Sequence, residues 1–344
     1  MRDLLTWKLF DAAHGWSAET HTSGDGATVT TLLGPPTPAS APFTEAVPSW
    51  SAATPPGAWI EVQLRARCGE RWTAFYRIAQ WDSLPAGSRR HSFEAQHDAD
   101  GHVATDTLAL TEPADAIQLR VLLYTTVDQQ AELRALHVAL SGPGAAAIER
   151  AAFTPRDLAV PPRAQLDYPN GSNICSPTSV AMLLAYWHTQ TDDARLAPFV
   201  ERQSVANIVA PQVYDPVYLG HGNWGFNTAF AASLGLDAYV ARFAGLSDIE
   251  PWLAAGVPVI ISVAWQAGML DNAPIPASSG HLQVVCGFDD RGCAIVADPR
   301  GDTEAEVRRR YDAAQLEAAW QINSQGTAYL IYPPNWPELG KSVA

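Results

Sequence analysis

A cysteine, a histidine and an aspartate stand in local settings that would let them act together. Cys175 lies in Asn173-Ile-Cys-Ser-Pro-Thr-Ser-Val-Ala-Met-Leu-Leu-Ala-Tyr-Trp187. Pro177 suits a first helical turn, where its missing N–H costs nothing, and Ser176 before it is an expected N-cap. Val180, Leu183, Leu184 and Trp187 follow at helical spacing as a buried stripe. The pattern predicts a helix from Pro177 to Trp187 with Cys175 at its mouth. Free N–H groups and the helix dipole favour an anion there, which draws a thiol toward the nucleophilic thiolate. Taken alone, such a cysteine is equally well a small core residue.

Gly280-His-Leu-Gln-Val-Val-Cys-Gly-Phe288 and Cys293-Ala-Ile-Val-Ala-Asp298 flank the turn-forming Asp289-Asp-Arg-Gly292. Pairing Phe288 with Cys293 closes a hairpin, setting Gln283 opposite Asp298 and His281 opposite Arg300. Alternation then puts His281 and Asp298 on one face as diagonal neighbours, roughly 7–8 Å apart at Cα. An imidazole oriented by a carboxylate is what activation of a nucleophile requires. The same register turns Cys286 and Cys293 to the opposite face, so these four residues cannot converge as metal ligands. No metal site and no cofactor is expected.

The elements that must position this chemistry fill the second half of the chain. Val257 to Ala264 reads as a buried strand, Tyr311 to Trp320 as a helix, and Ala328 to Tyr332 as a closing strand. The first half has another texture. Ile60, Val62 and Leu64 alternate with Glu61, Gln63 and Arg65, the period of a half-buried strand. Ile117 to Leu123 repeats the pattern, as do Leu136, Val138 and Leu140. Thr54-Pro-Pro-Gly57, Leu84-Pro-Ala-Gly87 and Asp98-Ala-Asp-Gly101 supply turns. Many short strands without helical period predict an all-β sandwich over 1–150, jelly-roll-like. Ser141-Gly-Pro-Gly144 breaks the pattern, 151–163 is expected as a linker, and 164–344 as an α+β catalytic domain.

At these residues the chain resembles the papain-like superfamily, specifically the cysteine-peptidase family 39-like group, relatives of the peptidases that process bacteriocin leaders. Cys-Ser-Pro-Thr-Ser, Gly-His-Leu-Gln-Val-Val and Asp-Pro carry the likeness, over roughly residues 160 to 334. Gly222 to Gly235 and Ala255-Gly-Val-Pro-Val259 belong to it as well. The resemblance implies a papain-like fold in which Cys175, His281 and Asp298 hydrolyse an amide through an acyl-enzyme. It also implies a side-chain amide upstream of the cysteine in the oxyanion hole, often six positions before it. Here that position is Pro169. Gln165 and Asn173 are therefore the candidates, with the Cys175 backbone N–H in either case.

Composition sets outer bounds. With 36 acidic against 22 basic residues in 344, the formal charge is −14. Such a surface repels phosphate backbones and anionic lipid, so neither nucleic acid nor membrane is an expected partner. No apolar run approaches the roughly 18–20 residues that span a bilayer. The opening residues do not read as a signal peptide, and four cysteines in so long a chain are not a disulfide framework. A cytoplasmic location is the default, a secreted one if a leader was trimmed.

The expected function is hydrolysis of peptide or isopeptide bonds, with a peptide or protein substrate. A transglutaminase-like acyl transferase using the same triad is one alternative, and an inactive papain-fold binding protein is another. His221 and Trp224, in a glycine-rich stretch, are candidates for lining the substrate cleft. Trp50, Trp59, Trp72 and Trp81 are either core or stacking platforms for a carbohydrate or polypeptide ligand of the sandwich. Arg308-Arg-Arg310 reads as a solvated patch.

Overall fold

The structure, a computed structural model, describes residues 2–24, 26–84, 89–93, 96–126, 129–142 and 153–336. All of the turn expected at 84–87 except Leu84, and the end of the one at 141–144, fall outside those residues.

The N-terminal part is an antiparallel β-sheet domain. Its strands are longer than the alternation suggested: Thr37–Ala53, Ala58–Cys68, Thr107–Thr125 and Glu132–Ser141. The Thr107–Thr125 strand works twice. Its first half pairs with the Thr37–Ala53 strand, and its second half with Thr28–Leu33 and Ala58–Cys68. The Ala58–Cys68 strand is also more buried than its period implied, because Glu61 and Gln63 are covered. Arg77 grips both carboxylate oxygens of Glu61 at 2.7 Å, and Arg120 donates to Gln63 at 2.7 Å. Paired polar side chains therefore cover the face expected to meet water, as a buried carboxylate requires. Trp50 and Trp81 are core rather than platforms, with exposures of 1% and 0%.

The C-terminal part is an α+β region. Its described residues include a seven-stranded sheet whose main path runs from Asp237–Arg242 through Thr327–Tyr332, Val259–Trp265, Ser278–Phe288 and Ala294–Ala297 to Arg308–Tyr311. All seven positions of Val259–Trp265 are buried, as expected of a β-branched central strand covered on both faces. Alternate residues divide between two cores. Ile260, Leu282 and Val284 join Val180, Leu184 and Trp187 of the helix Cys175–Thr191. Ile261, Val263 and Val285 join Leu316, Ala319 and Trp320 of the helix Ala313–Ser324.

Several boundaries differ from expectation. The cysteine helix starts at Cys175 with Ile174 as N-cap and no side-chain cap. Ser176 is buried inside the first turn, its hydroxyl 2.9 Å from that of Tyr329, so it does not cap. Residues 176–187 are buried all round rather than along one stripe. Tyr311 ends a strand, and the last helix starts two residues later because Asp312 caps it. The arginines 308–310 form that strand, and of the expected solvated patch Arg310 is exposed while Arg308 and Arg309 are partly covered. Within the expected linker, Arg156–Asp157 pairs with Phe288 and Gly287 of the strand that carries His281.

The two halves share one continuous apolar core, in which Trp50 and Trp81 meet Phe226 of the helix Trp224–Ser233. Polar contacts cross the junction as well. Val240 N–H donates to Ser49 at 3.0 Å, and Arg242 pairs with Glu45 at 2.6 Å. Among the described residues, no helix is long and apolar enough to cross a membrane.

Gly287, at φ +154°, lets the Arg156–Asp157 strand close on the histidine strand. A Cβ there would lie 1.9 Å from the Arg156 carbonyl oxygen, which neither backbone can yield. Gly287→Ala is expected to lower stability by roughly 1–3 kcal/mol, read as a fall in the denaturant midpoint at unchanged slope.

Candidate active site

The cysteine helix delivers its first residue to the edge of the histidine strand. Ser179 Oγ donates to the Leu282 carbonyl at 3.1 Å, tying the helix to the backbone next to His281. Upstream, the loop is wound tightly, with Asn170 in the left-handed region. Gln165 N–H donates to the Pro299 carbonyl at 2.7 Å, so the segment before Cys175 is pinned beside Asp298.

The ladder of the hairpin brings Asp298 to His281 by a route that differs from the expected one. Phe288 pairs with Ala294, one residue beyond Cys293. A bulge at Cys286 then restores the register, so Val284 pairs with Ala297. The longer turn and the bulge cancel. Asp298 follows directly, with its N–H bonded to the Val307 carbonyl at 2.8 Å.

His281 Nε2 lies 2.7 Å from Asp298 Oδ1. Asp298 is fully buried, and its other partners are the Tyr311 hydroxyl at 2.7 Å and the Arg300 N–H at 2.9 Å. With Nε2 engaged, the remaining ring nitrogen of His281 is the one left for the hydrogen bond with Cys175. Trp265 packs edge-on against the imidazole at 5.8 Å between centroids.

Electrostatics follow from this arrangement. Burial works against a charged His281, yet the Asp298 carboxylate and then Cys175 outweigh it and raise its pKa to about 10. Burial likewise opposes a Cys175 thiolate. The hydrogen bond and charge of His281, with the backbone at Leu282 and Ser176, overcome it and bring the thiol below its ordinary value. For Asp298, burial is again opposed, by His281, Tyr311 and the Arg300 N–H, and the carboxyl stays below its usual range. A thiolate, an imidazolium and a carboxylate in series can attack an electrophilic carbonyl and hand a proton to its leaving group.

A cleft of about 690 Å³ opens beside Cys175, and Asn173, His221 and Trp224 line it. Gln165 does not. Its side chain is 1% exposed and its amide nitrogen donates to the Gly171 carbonyl at 2.5 Å, bracing the loop. The loop carrying His221 is held through Asp215, fully buried, which accepts from Asn223 Nδ2 at 3.0 Å and from Ser92 N–H, in the sheet domain, at 3.2 Å. Burial lowers the pKa of His221, while a hydrogen bond with the Asn173 backbone opposes the shift.

Sequence reasoning missed Tyr311 as a partner of Asp298, because the residue was assigned to a helix. Arg308-Arg-Arg-Tyr311 has no apolar–polar alternation, so no local signal marks the strand. The chain also gave no signal that Asp106 and Thr107, far upstream, face the same cleft.

Two family models match the chain. One, described as Peptidase C39 N-terminal domain, covers residues 11–141, and the other, Peptidase_C39 like family, covers 157–328. The chain belongs to the Peptidase_C39 like family. Membership of this family points to cysteine peptidase activity. No curated protein matches the chain. Among solved structures, the chain is similar to a C39-like protein from Bacillus anthracis, at 16% identity and a TM-score of 0.34, over 53% of this chain and 99% of that one. It is also similar to a carbohydrate-binding module of the beta-sandwich super family, at 13% identity and a TM-score of 0.18, over 40% of this chain and 56% of that one. Scores this low carry no argument about fold or ligand.

Tyr311→Phe removes one donor from the buried Asp298 carboxylate. At neutral pH it is expected to cost about 1.5–3 kcal/mol, as for a hydrogen bond to a charged group. Asp298 has a depressed folded pKa, so its stabilisation is present above the unfolded value and lost as pH falls through the folded one. The deficit of the variant should therefore narrow only well below pH ~4, which denaturant titrations at several pH values would read.

Proposed function

We propose that the chain is a cysteine peptidase or amidase with Cys175 as nucleophile, His281 as base and acid, and Asp298 as orienter. The observation carrying this reading is the buried relay from thiol through imidazole to carboxylate, which favours charge at all three groups. The thiolate attacks the carbonyl carbon of a peptide or isopeptide bond, forming a C–S bond. His281 gives its proton to the amide nitrogen, the C–N bond breaks, and the amine leaves. Water, deprotonated by His281, then attacks the thioester. The C–S bond breaks, releasing a carboxylic acid and restoring the thiolate–imidazolium pair. The Cys175 backbone N–H and the Asn173 side chain are the proposed oxyanion donors, and Gln165 supports the loop that carries them. His221 and Trp224 are proposed to contact the substrate.

The wider reading is a papain-like catalytic domain over 164–344, joined to a β-sandwich over 1–150. The double pairing of the Thr107–Thr125 strand, which serves two sets of neighbours, supports a sandwich. The four free cysteines suit a reducing compartment, and a cytoplasmic site is part of the proposal.

The test is alkylation of Cys175 by iodoacetamide between about pH 4 and 10, with the other cysteines followed by mass spectrometry. The expected midpoint lies well below the free-thiol value of about 8.5. In His281→Ala the uncompensated burial should move it above that value. Cys175→Ser should reduce turnover by about 10⁴-fold or more. An ordinary midpoint, indifferent to His281, would sink the hydrolase reading. Diversion of the acyl group to an added amine would replace hydrolysis with transfer.

A further inference from the structure

The cleft that holds Cys175 is built from both halves of the chain, and the part contributed by the sheet domain is a hairpin tip. The strands Gly101–Ala104 and Thr107–Thr125 are joined by Thr105 and Asp106 alone, since Ala104 pairs with Thr107. Thr105 adopts φ +58° at the first turn position, a conformation that β-branched residues rarely enter and that glycine would take without strain. The tip is held there by the catalytic half. Asp106 Oδ2 accepts the N–H of Trp224, at the start of the helix Trp224–Ser233, at 2.5 Å. Asp106 is 6% exposed and lines the cleft together with Cys175. Both residues act electrostatically on the hydroxyls of Tyr218 and Tyr329, and Tyr329 bonds to Ser176, next to the nucleophile.

The charges along this wall do not balance. Glu45 and Arg242 also line the cleft, but they satisfy each other at 2.6 Å. Arg242 is further committed to Ser141 and, at 3.0 Å, to Thr327. His221 is held toward its neutral form by burial. The thiolate of Cys175 and the imidazolium of His281 cancel, and the remaining negative charge of the relay, on Asp298, is met by His281, Tyr311 and the Arg300 N–H. Asp106 is thus left with the Trp224 N–H, the hydroxyl of Thr107 at 3.2 Å, a secondary influence from Arg242 and a smaller one from its own backbone N–H. Burial is the largest influence on it and raises its carboxyl to about 6, so the charge it carries at neutral pH is under-compensated.

We infer that Asp106 is a specificity residue, placed by the N-terminal domain to select a cationic group on the substrate, of which lysine and arginine side chains are the peptide form. A substrate cation in the cleft would add to the compensation that the protein's own groups give Asp106, in surroundings where water screens little. The inference rests on the hydrolase reading for its meaning, but its test does not depend on turnover.

The test compares two methanethiosulfonate reagents on Cys175 at pH 7.5 (a buffer choice, roughly one and a half units above the carboxyl). One carries a trimethylammonium group and the other a sulfonate, and each rate is divided by that of the same reagent with glutathione. In the full-length chain the cationic reagent should be favoured by about 10-fold or more. Asp106→Asn should bring the ratio toward one. T105K adds a cation to the same tip without removing the Trp224 bond, and it should reverse the preference. Far-UV circular dichroism checks that both variants fold. An unchanged ratio in D106N would overturn the inference, whatever T105K shows. The hydrolase reading is separately exposed through His281→Ala. If Cys175 labels slowly and indifferently to His281, that reading fails, while the charge ratio still reports on Asp106.

Discussion

A carboxylate taken wholly out of water has to be met by donors, and Asp298 is met on several sides by groups from three places in the chain. His281 comes from the strand beside it, Tyr311 from the strand Arg308–Tyr311, and the Arg300 N–H from the turn that follows. Losing one would leave a buried charge short of a partner, a cost of several kcal/mol if the ion pair itself were broken. This constraint fixes the histidine strand against its neighbour, sets which imidazole nitrogen faces the thiol, and anchors the loop before Cys175 through Pro299. Cys175 is drawn toward thiolate because Asp298 keeps His281 protonated against the opposing effect of burial.

The junction between the two halves depends on the same economy of buried polar groups. Asp215, Arg242 and Asp106 are each buried where the sheet domain meets the α+β region, and each has partners across that boundary. A shared apolar core of Trp50, Trp81 and Phe226 lies beneath them. The cleft is consequently a property of the whole chain. The α+β region contributes Cys175 and its neighbours, and the sheet domain contributes a wall that includes the tip of a two-residue turn.

How far the site could be read beforehand varies residue by residue. Cys175 was legible because a proline and an apolar helical pattern follow it, even though the capping residue was misassigned. His281 and Asp298 were legible as same-face neighbours because side-chain alternation has a period of two. The turn itself was misjudged by one residue, and the bulge at Cys286 restored the register. Gln165 was drawn toward the oxyanion hole by resemblance, whereas its buried amide is committed to Gly171. Glu61 and Gln63 looked solvent-facing because periodicity reports polarity, and nothing local reveals that Arg77 and Arg120 will cover them.

The sequence by itself determined the helix behind Cys175, the hairpin behind His281, the texture of the two halves, and the residue types able to perform thiol chemistry. These are local properties, carried by spacing over a few residues and by the turn-forming segments between them. Tertiary structure alone decided that Tyr311 would complete the carboxylate, that the two halves would share a core, and that Asp106 would stand in the cleft of a cysteine 69 positions away. Those outcomes rest on contacts between distant segments, where the cost of burying polar groups and the packing of large side chains select one arrangement. No short window of sequence contains both partners.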